Sequence, residues 1–312
     1  MPLVQKIGQG PPETTAKSGV LQILARRRPV ADAPADIARG QRSTFTNLPP
    51  TMEGPVRTVP VKYPKIIFMD LEGTLFLKEH KLVSSDVAPS VWTVLANRLG
   101  TECLREEMET WARWNSGDYP GYVEWMKDTI RIHKKYRLTR DVFQEVINGV
   151  KLTPGVRKAI AKFQKNGAIT AIVSGGFKAL ADRAQLRLRI DHALSACEYC
   201  FDKKTGRIEH FNLLPSDERG KVDFVKLIAK EHDIDLRDCA FVGDGKNDVH
   251  LARAVGFSVA FNAQSELRKR ATIMVDQPEG REDFLAVADV IDKHFSRCRR
   301  NISRKHAGVH RK

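Results

Sequence analysis

Three largely apolar runs, each ending in a polar residue, constrain the fold of this chain most strongly. The first is Lys65-Ile-Ile-Phe-Met-Asp70, the second is Ala168–Ser174 and the third is Cys239–Asp244. A short continuous apolar run predicts a strand that is buried on both faces. Because segments with helical periodicity separate these runs, we predict an α/β protein with a parallel sheet and helices on both of its faces.

Further elements follow from the same patterns of apolar residues. We predict helices over Val156–Lys165, Phe177–Leu188, Lys221–His232 and Asp248–Ala254, short strands at Ser258–Phe261 and Ile273–Val275, and a two-stranded excursion around Lys203–Gly206. Together with the buried strands, these elements predict a Rossmann-like core of three layers. We place this core at residues 61–77 plus 151–292.

Residues 86–150 differ from the rest because their apolar residues recur at helical spacing throughout. The segment also contains all four tryptophans of the chain. We therefore predict a helical cap, residues 78–150, that is inserted after the first strand. Its tryptophans are expected to be core and cap-contact residues rather than a surface that stacks nucleic-acid bases.

The positive charge of the chain, formally +14, lies at its two ends. Residues 1–65 contain ten Lys and Arg against four Asp and Glu, and residues 293–312 contain eight against none, so residues 66–292 are neutral. Many prolines predict a disordered basic extension over 1–60, and 293–312 is predicted to be a basic tail. Charge alone allows these ends to bind nucleic acid or an anionic membrane, but no aromatic residue follows Phe295, which favours a solvated tail.

Several classes of protein are excluded by composition. No apolar run approaches the roughly 20 residues that cross a bilayer, so no membrane span is expected. Five scattered cysteines and an N-terminus without a secretory pattern predict a cytoplasmic protein. A zinc site is an alternative interpretation of Cys197 and Cys200 with His192 and His210, but the loose histidine spacing favours buried free thiols.

Charged and polar side chains collect at the predicted ends of the three buried strands. They are Asp70 and Glu72, Ser174 and Gly175 at a helix start, and Asp244, Asn247 and Asp248 in a glycine-rich loop, with Lys221 opening a further helix. Ligands of parallel α/β folds bind at the carboxyl ends of the strands. Carboxylates suit Mg²⁺, and backbone amides at a helix start suit an anion, so a phosphate monoester is the predicted substrate class.

The order of these motifs, DxEGT, SGG, Lys and GDGxND, resembles that of the haloacid dehalogenase superfamily of aspartyl phosphotransferases. Within the superfamily, LTPGV (152–156), AIVSGGF (171–177) and VGDGKND (242–248) are similar to the phosphoserine phosphatases. The resemblance covers residues 65 to about 275. It implies a phosphatase with Mg²⁺ as its cofactor and a small phosphorylated metabolite as its partner.

The resemblance also implies a role for each residue. Asp70 would attack phosphorus and become an aspartyl-phosphate, and Glu72 would be the general acid and base at a position where aspartate is more common. Mg²⁺ would be held by Asp70, Asp244 and the backbone carbonyl of Glu72, and Asp248 would orient a water on the metal. The phosphate oxygens would be held by Ser174, Gly175, Lys221 and Asn247.

The most similar subfamily makes O-phosphoserine the leading substrate. By resemblance, Glu79 would receive its ammonium group and Arg131 on the cap would receive its carboxylate, with Lys127 as a weaker candidate. Another small phosphomonoester, or transfer to an acceptor alcohol, is the alternative within the enzyme class. A nucleic-acid-associated protein that uses its basic ends is the alternative from another class.

Overall fold

The computed structural model describes residues 63–296. Seven strands form one sheet: β1 Ile66–Met69, β2 Ile169–Phe177, β3 His192–Phe201, β4 Ile208–Leu213, β5 Cys239–Gly243, β6 Phe257–Phe261 and β7 Ile273–Val275. The helices are α1 Val91–Leu99, α2 Thr101–Ser116, α3 Tyr122–Lys135, α4 Arg140–Gly149, α5 Val156–Lys165, α6 Lys178–Leu188, α7 Arg219–Glu231, α8 Val249–Ala254, α9 Ser265–Arg268 and α10 at residues 285–296.

The sheet has the strand order β4-β3-β2-β1-β5-β6-β7. All neighbouring strands are parallel except β3 and β4, which are antiparallel. The sheet is therefore mostly parallel, as predicted, and β4 is an antiparallel strand at one edge. The predicted excursion around Lys203–Gly206 is the turn between β3 and β4. There the Asp202 carboxylate accepts hydrogen bonds from the backbone N–H groups of Lys204 and Thr205, which stabilises a tight reversal of the chain.

Strand β1 is central and buried on both faces, as its apolar sequence predicts. Ile67 and Met69 pack on one face of the sheet, and Ile66 and Phe68 pack on the other. The first face is covered by α5, α6 and α10, and the second by α7, α8 and α9. Helices on both faces of a mostly parallel sheet confirm the predicted Rossmann-like α/β class.

The insertion between β1 and β2 contains the four helices α1 to α4. Their position matches the place where a helical cap is predicted, and the predicted boundaries of the cap, 78–150, stay a prediction. The C-terminal helix α10 is absent from our sequence-based prediction. It includes residues 293–296, which the sequence analysis placed in the basic tail, and the predicted boundary at residue 292 stays a prediction.

The basic ends lie largely outside the described residues. The predictions for residues 1–60 and 297–312 therefore concern residues outside the described range. Within residues 63–296, no helix is both long and apolar enough to cross a membrane.

The edge of the sheet where β1, β2 and β5 end is a topological switch point. The chain leaves β1 towards β2 on one side and returns to β5 on the other. The backbone N–H of Asp70 donates to the carbonyl of Val242 at 2.9 Å, which holds the ends of β1 and β5 together. Such a crevice is where α/β folds bind ligands.

Candidate active site

A cavity of about 170 Å³ opens at this switch point. Core loops line one side of it, and α1, α2 and α3 line the other. Among the predicted site residues, the lining includes Asp70, Glu72, Ser174, Gly175, Asp244 and Asn247. The parallel strands therefore bring these motifs together, as the sequence predicts.

Lys221 is fully buried in the floor of this region. Its ammonium donates to Oδ1 of Asp70 and to Oδ1 of Asp248, both at 2.6 Å. A third carboxylate, that of Asp217, lies 3.7 Å away. Burial alone would lower the pKa of Lys221, but the carboxylates of Asp248 and Asp70 outweigh it and hold the pKa well above its usual value. Lys221 therefore carries a fixed positive charge beside Asp70.

The carboxylates of Asp70, Asp244 and Asp248 form a compact buried cluster. One oxygen of each lies within 4.8 Å of the others. Burial raises the pKa of Asp244, and it raises the pKa of Asp248 to about 7, because ionised groups lose their hydration there. Three hard oxygen donors with this excess of negative charge fit Mg²⁺. The carboxylate of Glu72 lies outside this cluster.

Lys78 is a site residue that the sequence analysis missed. Its ammonium donates to Oδ2 of Asp244 at 2.7 Å. Burial opposes the charge, but the neighbouring Asp244 carboxylate raises the pKa of Lys78 above its usual value. In the sequence, Lys78 stands beside Glu79, His80 and Lys81, and such a charged run is typical of a solvated loop.

The Glu72 carboxylate contacts the cap. Its Oε2 accepts a 2.7 Å hydrogen bond from the backbone N–H of Val91, the first residue of α1. Burial raises the pKa of Glu72 to about 7, although this hydrogen bond opposes the shift. Its other oxygen is packed so closely that a Cβ on Gly176 would lie 2.6 Å from Oε1. Glycine is therefore needed at position 176 for this side chain to keep its place.

The Ser174-Gly-Gly loop has its hydroxyl and backbone turned inward. Ser174 is buried, and its Oγ accepts from the backbone N–H of Gly176 at 3.0 Å. Next to it, the carbonyl of Gly175 accepts a 2.7 Å hydrogen bond from the hydroxyl of Tyr122, so α3 is tied to this loop. The Asn247 amide donates to Oδ1 of Asp217 at 2.7 Å. Asp217 and Tyr122 are lining residues that the sequence analysis missed.

Glu79 and Arg131 do not line the cavity, so their contacts with a substrate head group stay predictions. Glu79 forms an ion pair with Lys151 at 2.9 Å. The Arg131 side chain is 75% exposed and pairs with Asp128 on the same helix at 2.9 Å. Helix α3 turns Trp125 and Tyr122 towards the cavity, and Arg131 borders a separate depression beside α2. Lys127, also on α3, pairs with Glu124 at 3.8 Å.

The predicted alternative of a zinc site is not assembled among residues 63–296. Cys197 and Cys200 are free thiols on β3. Their spacing of three residues places them on opposite faces of the strand. His192 lies instead beside Glu231 and His232.

Comparisons with known proteins agree with this architecture. Residues 64–256 match the family of haloacid dehalogenase-like hydrolases. A phosphoserine phosphatase of Methanocaldococcus jannaschii is 30% identical over 156 residues, which are 48% of this chain and 72% of that protein. A phosphoserine phosphatase of Archaeoglobus fulgidus is 28% identical over 172 residues, which are 55% of this chain and 47% of that protein. The chain thus spans about half the length of the Archaeoglobus relative.

A solved structure described as a phospho-aspartyl intermediate analogue of phosphoserine phosphatase shares the fold. It aligns with a TM-score of 0.59 and 21% identity, over 73% of this chain and 99% of that one. The chain therefore belongs to the haloacid dehalogenase-like hydrolase family, which confirms the predicted family. Within that family it is a phosphoserine phosphatase-like protein.

Proposed function

We propose that this protein is a Mg²⁺-dependent phosphatase that hydrolyses a small phosphomonoester through an aspartyl-phosphate on Asp70. The observation that carries this proposal is the bridge that buried Lys221 makes between Asp70 and Asp248, at the edge of a cavity that also contains the Ser174 loop. A carboxylate, a fixed cation and inward-facing hydrogen-bond donors are the groups that phosphoryl transfer needs.

In the first step, an oxygen of Asp70 forms a bond to phosphorus while the bond from phosphorus to the ester oxygen breaks. Glu72 gives its proton to the departing alkoxide. A pKa of about 7 suits this role, because a general acid works best when its pKa is near the working pH. In the second step, Glu72 takes a proton from water, which attacks phosphorus and releases inorganic phosphate and free Asp70.

The phosphate oxygens would be held by three groups that line the cavity and by Lys221, which is buried beside it. The three lining groups are the Ser174 hydroxyl, the Gly175 backbone N–H and the Asn247 amide. Donors held in place before the reaction stabilise the charge that develops on those oxygens.

Asp70, Asp244 and Asp248 would hold Mg²⁺. When bound, the ion would offset the negative charge of these carboxylates and of the substrate phosphate. The donor set supports this assignment because it consists of oxygen atoms alone.

The names of the relatives support phosphoserine as the substrate. The head-group contacts do not add to that support, since Glu79 and Arg131 lie away from the cavity. We therefore propose a small phosphomonoester as the substrate class.

A screen for phosphate release tests the proposal. The full chain is incubated with Mg²⁺ and a panel of small phosphomonoesters, with EDTA as the control. Hydrolysis should release the alcohol and inorganic phosphate in equal amounts. Transfer to an acceptor alcohol would release less inorganic phosphate than alcohol. Asp70→Asn should be inactive, and Asp223→Asn, an exposed carboxylate near Lys221 on α7, should match the unaltered protein. Activity that survives EDTA and Asp70→Asn would contradict the proposal.

A further inference from the structure

All four tryptophans of the chain line the same cavity. Trp92 comes from α1, Trp111 and Trp114 from α2, and Trp125 from α3. Tyr122, at the start of α3, lines it as well. The inserted helices therefore line the cavity with aromatic side chains, opposite the core loops that carry Asp70, Ser174 and Asp244. We call these five aromatic residues the aromatic wall.

Four of the five members of the aromatic wall, all but Trp111, have ring contacts with one another. The Tyr122 ring lies 5.2 Å from Trp125 and 5.6 Å from Trp114, between ring centres. Trp92 lies 5.8 Å from Trp125 and is itself packed on Phe177 of β2 at 4.1 Å. Because the Tyr122 hydroxyl is bonded to the Gly175 carbonyl, the wall begins one residue from Ser174. An ester bound at Ser174 would have its organic part against these rings.

The ring faces of the wall favour a cation over an anion. The faces of aromatic rings carry partial negative charge, and they attract cations and repel carboxylates. Four carboxylates, those of Asp70, Glu72, Asp217 and Asp244, line the same cavity, although Mg²⁺ would offset the charge of Asp70 and Asp244. Two lysines, Lys78 and Lys246, also line it, but they already donate to Asp244 and to Asn115. Within residues 63–296, no arginine lines the cavity.

The hydrogen-bond partners of those carboxylates favour one kind of cation. Asp70 accepts from Lys221, Asp244 from Lys78, and Asp217 from Asn247. Glu72 accepts from the backbone of Val91. A primary ammonium has three N–H donors and would compete for these oxygens, whereas a quaternary ammonium has none and needs only charge and contact.

The size of the cavity limits the rest of the substrate. Its volume of about 170 Å³ is below the roughly 300–1,000 Å³ of pockets that hold drug-sized ligands. A short alcohol that carries one compact cationic group therefore fits better than a nucleoside or a long chain.

From these observations we infer that the substrate class, given the phosphatase function proposed above, is the phosphate ester of a short alcohol bearing a quaternary ammonium group. The phosphate lies at Ser174 and Lys221, and the cation lies against the aromatic wall. The wall is thus the specificity-determining surface of the cap.

The sharpest test compares two esters of the same shape. Choline phosphate carries a quaternary nitrogen, and 3,3-dimethylbutyl phosphate has a neutral carbon in its place. With the full chain and Mg²⁺, kcat/KM for choline phosphate should exceed that for the neutral ester by about 10- to 100-fold, the range expected for a cation on one or two aromatic faces. Phosphoserine should be the poorer substrate, because its carboxylate would face the rings.

Variants at Trp114 assign the preference to the wall. Trp114→Phe keeps an aromatic face and should keep most of the preference, whereas Trp114→Leu keeps apolar bulk and should reduce the ratio of the two kcat/KM values about tenfold. Phe211→Leu, an aromatic residue on β4 away from the cavity, is the matched control and should leave the ratio unchanged.

A binding measurement keeps the inference testable if the Trp114 variants do not fold. Because every tryptophan of the chain lines the cavity, intrinsic fluorescence reports on this site. In Asp70→Asn, which should bind without turnover, choline phosphate should change the emission at concentrations at least tenfold below those needed for the neutral ester or inorganic phosphate.

The outcomes separate this inference from the proposed function. Hydrolysis of the two esters at equal rates, or a preference for phosphoserine, would overturn the quaternary ammonium assignment and leave the phosphatase intact. If nitrophenyl phosphate and every other ester were stable, the proposed function would fail and the inference would fall with it.

Discussion

The carboxylate of Glu72 accepts a hydrogen bond from the backbone N–H of Val91, so the turn after β1 is joined directly to the first helix of the insertion. The distance is 2.7 Å, and Glu72 and Val91 are 19 positions apart in the sequence. An aspartate at position 72 would be shorter by one methylene and would not span this distance from the same backbone. The contact gives a structural reason for glutamate at a position where aspartate is more common in the family.

Glu72→Gln should slow hydrolysis of an alkyl phosphate by roughly 10²–10⁴-fold, because the alkoxide leaves with no proton donor. A nitrophenyl ester should be affected much less, since its leaving group needs no proton. Steady-state kinetics with both esters measures the difference. Equal losses on both would contradict the role of Glu72 as the general acid.

Gly176→Ala should also lower kcat for the alkyl ester. The added Cβ would lie 2.6 Å from Oε1 of Glu72 and would displace that carboxylate, and misplacement by about 1 Å can cost roughly 10²-fold. Gly149→Ala is the matched control, because nothing lies within 4 Å of a Cβ at that position on α4. If Gly176→Ala were as active as Gly149→Ala, the close packing around Glu72 would have no catalytic consequence.

We expect Glu107 on α2 to make the free energy of unfolding depend on pH. It is fully buried, its Oε1 accepts from the Thr93 hydroxyl at 3.2 Å, and burial raises its pKa from 4.5 to about 7. The folded state therefore binds the proton of the Glu107 carboxyl more tightly than the unfolded state does. The contribution of this proton to the free energy of unfolding is complete below pH 4.5 and is lost as pH rises through 7.

Glu107→Gln should therefore be more stable than the unaltered chain at pH 8, by up to about 3 kcal/mol, and should differ less at pH 5. Urea unfolding at the two pH values measures this change. Glu102→Gln, at an exposed position of the same helix, is the control for the loss of a carboxyl group from α2. An equal effect of Glu107→Gln at both pH values would show that the carboxyl does not titrate on unfolding.

Phe295 lies in the helical residues 293–296, beyond the predicted end of the core at residue 292. Its ring lies 5.3 Å from Phe257 of β6 and 6.0 Å from Tyr63, between ring centres. Because the side chain is partly buried, Phe295→Ala should lower the free energy of unfolding by about 1–2 kcal/mol with kcat unchanged. The exposed neighbour Lys293→Ala should have little effect. Equal free energies of unfolding for the two variants would show that Phe295 does not stabilise the core.

The sequence predicted the core of the fold because its strongest signals are local. Lys65–Asp70 and Cys239–Asp244 are continuous apolar runs, and parallel pairing of Ile66 with Cys239 then brings Asp70 and Asp244 to one edge. The order of strands and helices along the chain was therefore enough to predict that most of the site residues lie at one edge of the sheet.

The parts that were not predicted depend on contacts between distant segments. Lys78 donates a hydrogen bond to Asp244, which lies 166 positions away in the sequence. The start of α3 at Tyr122 determines the face of the helix on which Arg131 lies. Apolar spacing indicated that the tryptophans are buried, but not that three helices bring them to one cavity. Helix α10 was missed because its apolar residues adjoin the basic run that follows.

The most direct test of the central claim is to trap the phosphorylated enzyme. The full chain with Mg²⁺ is mixed with a hydrolysed phosphomonoester, quenched in acid and reduced with borohydride, which converts an aspartyl-phosphate into homoserine. The account predicts homoserine at position 70 by peptide mass spectrometry, and its absence from Asp70→Asn. Turnover of the ester with no modification at position 70, or with modification at another carboxylate, would contradict it.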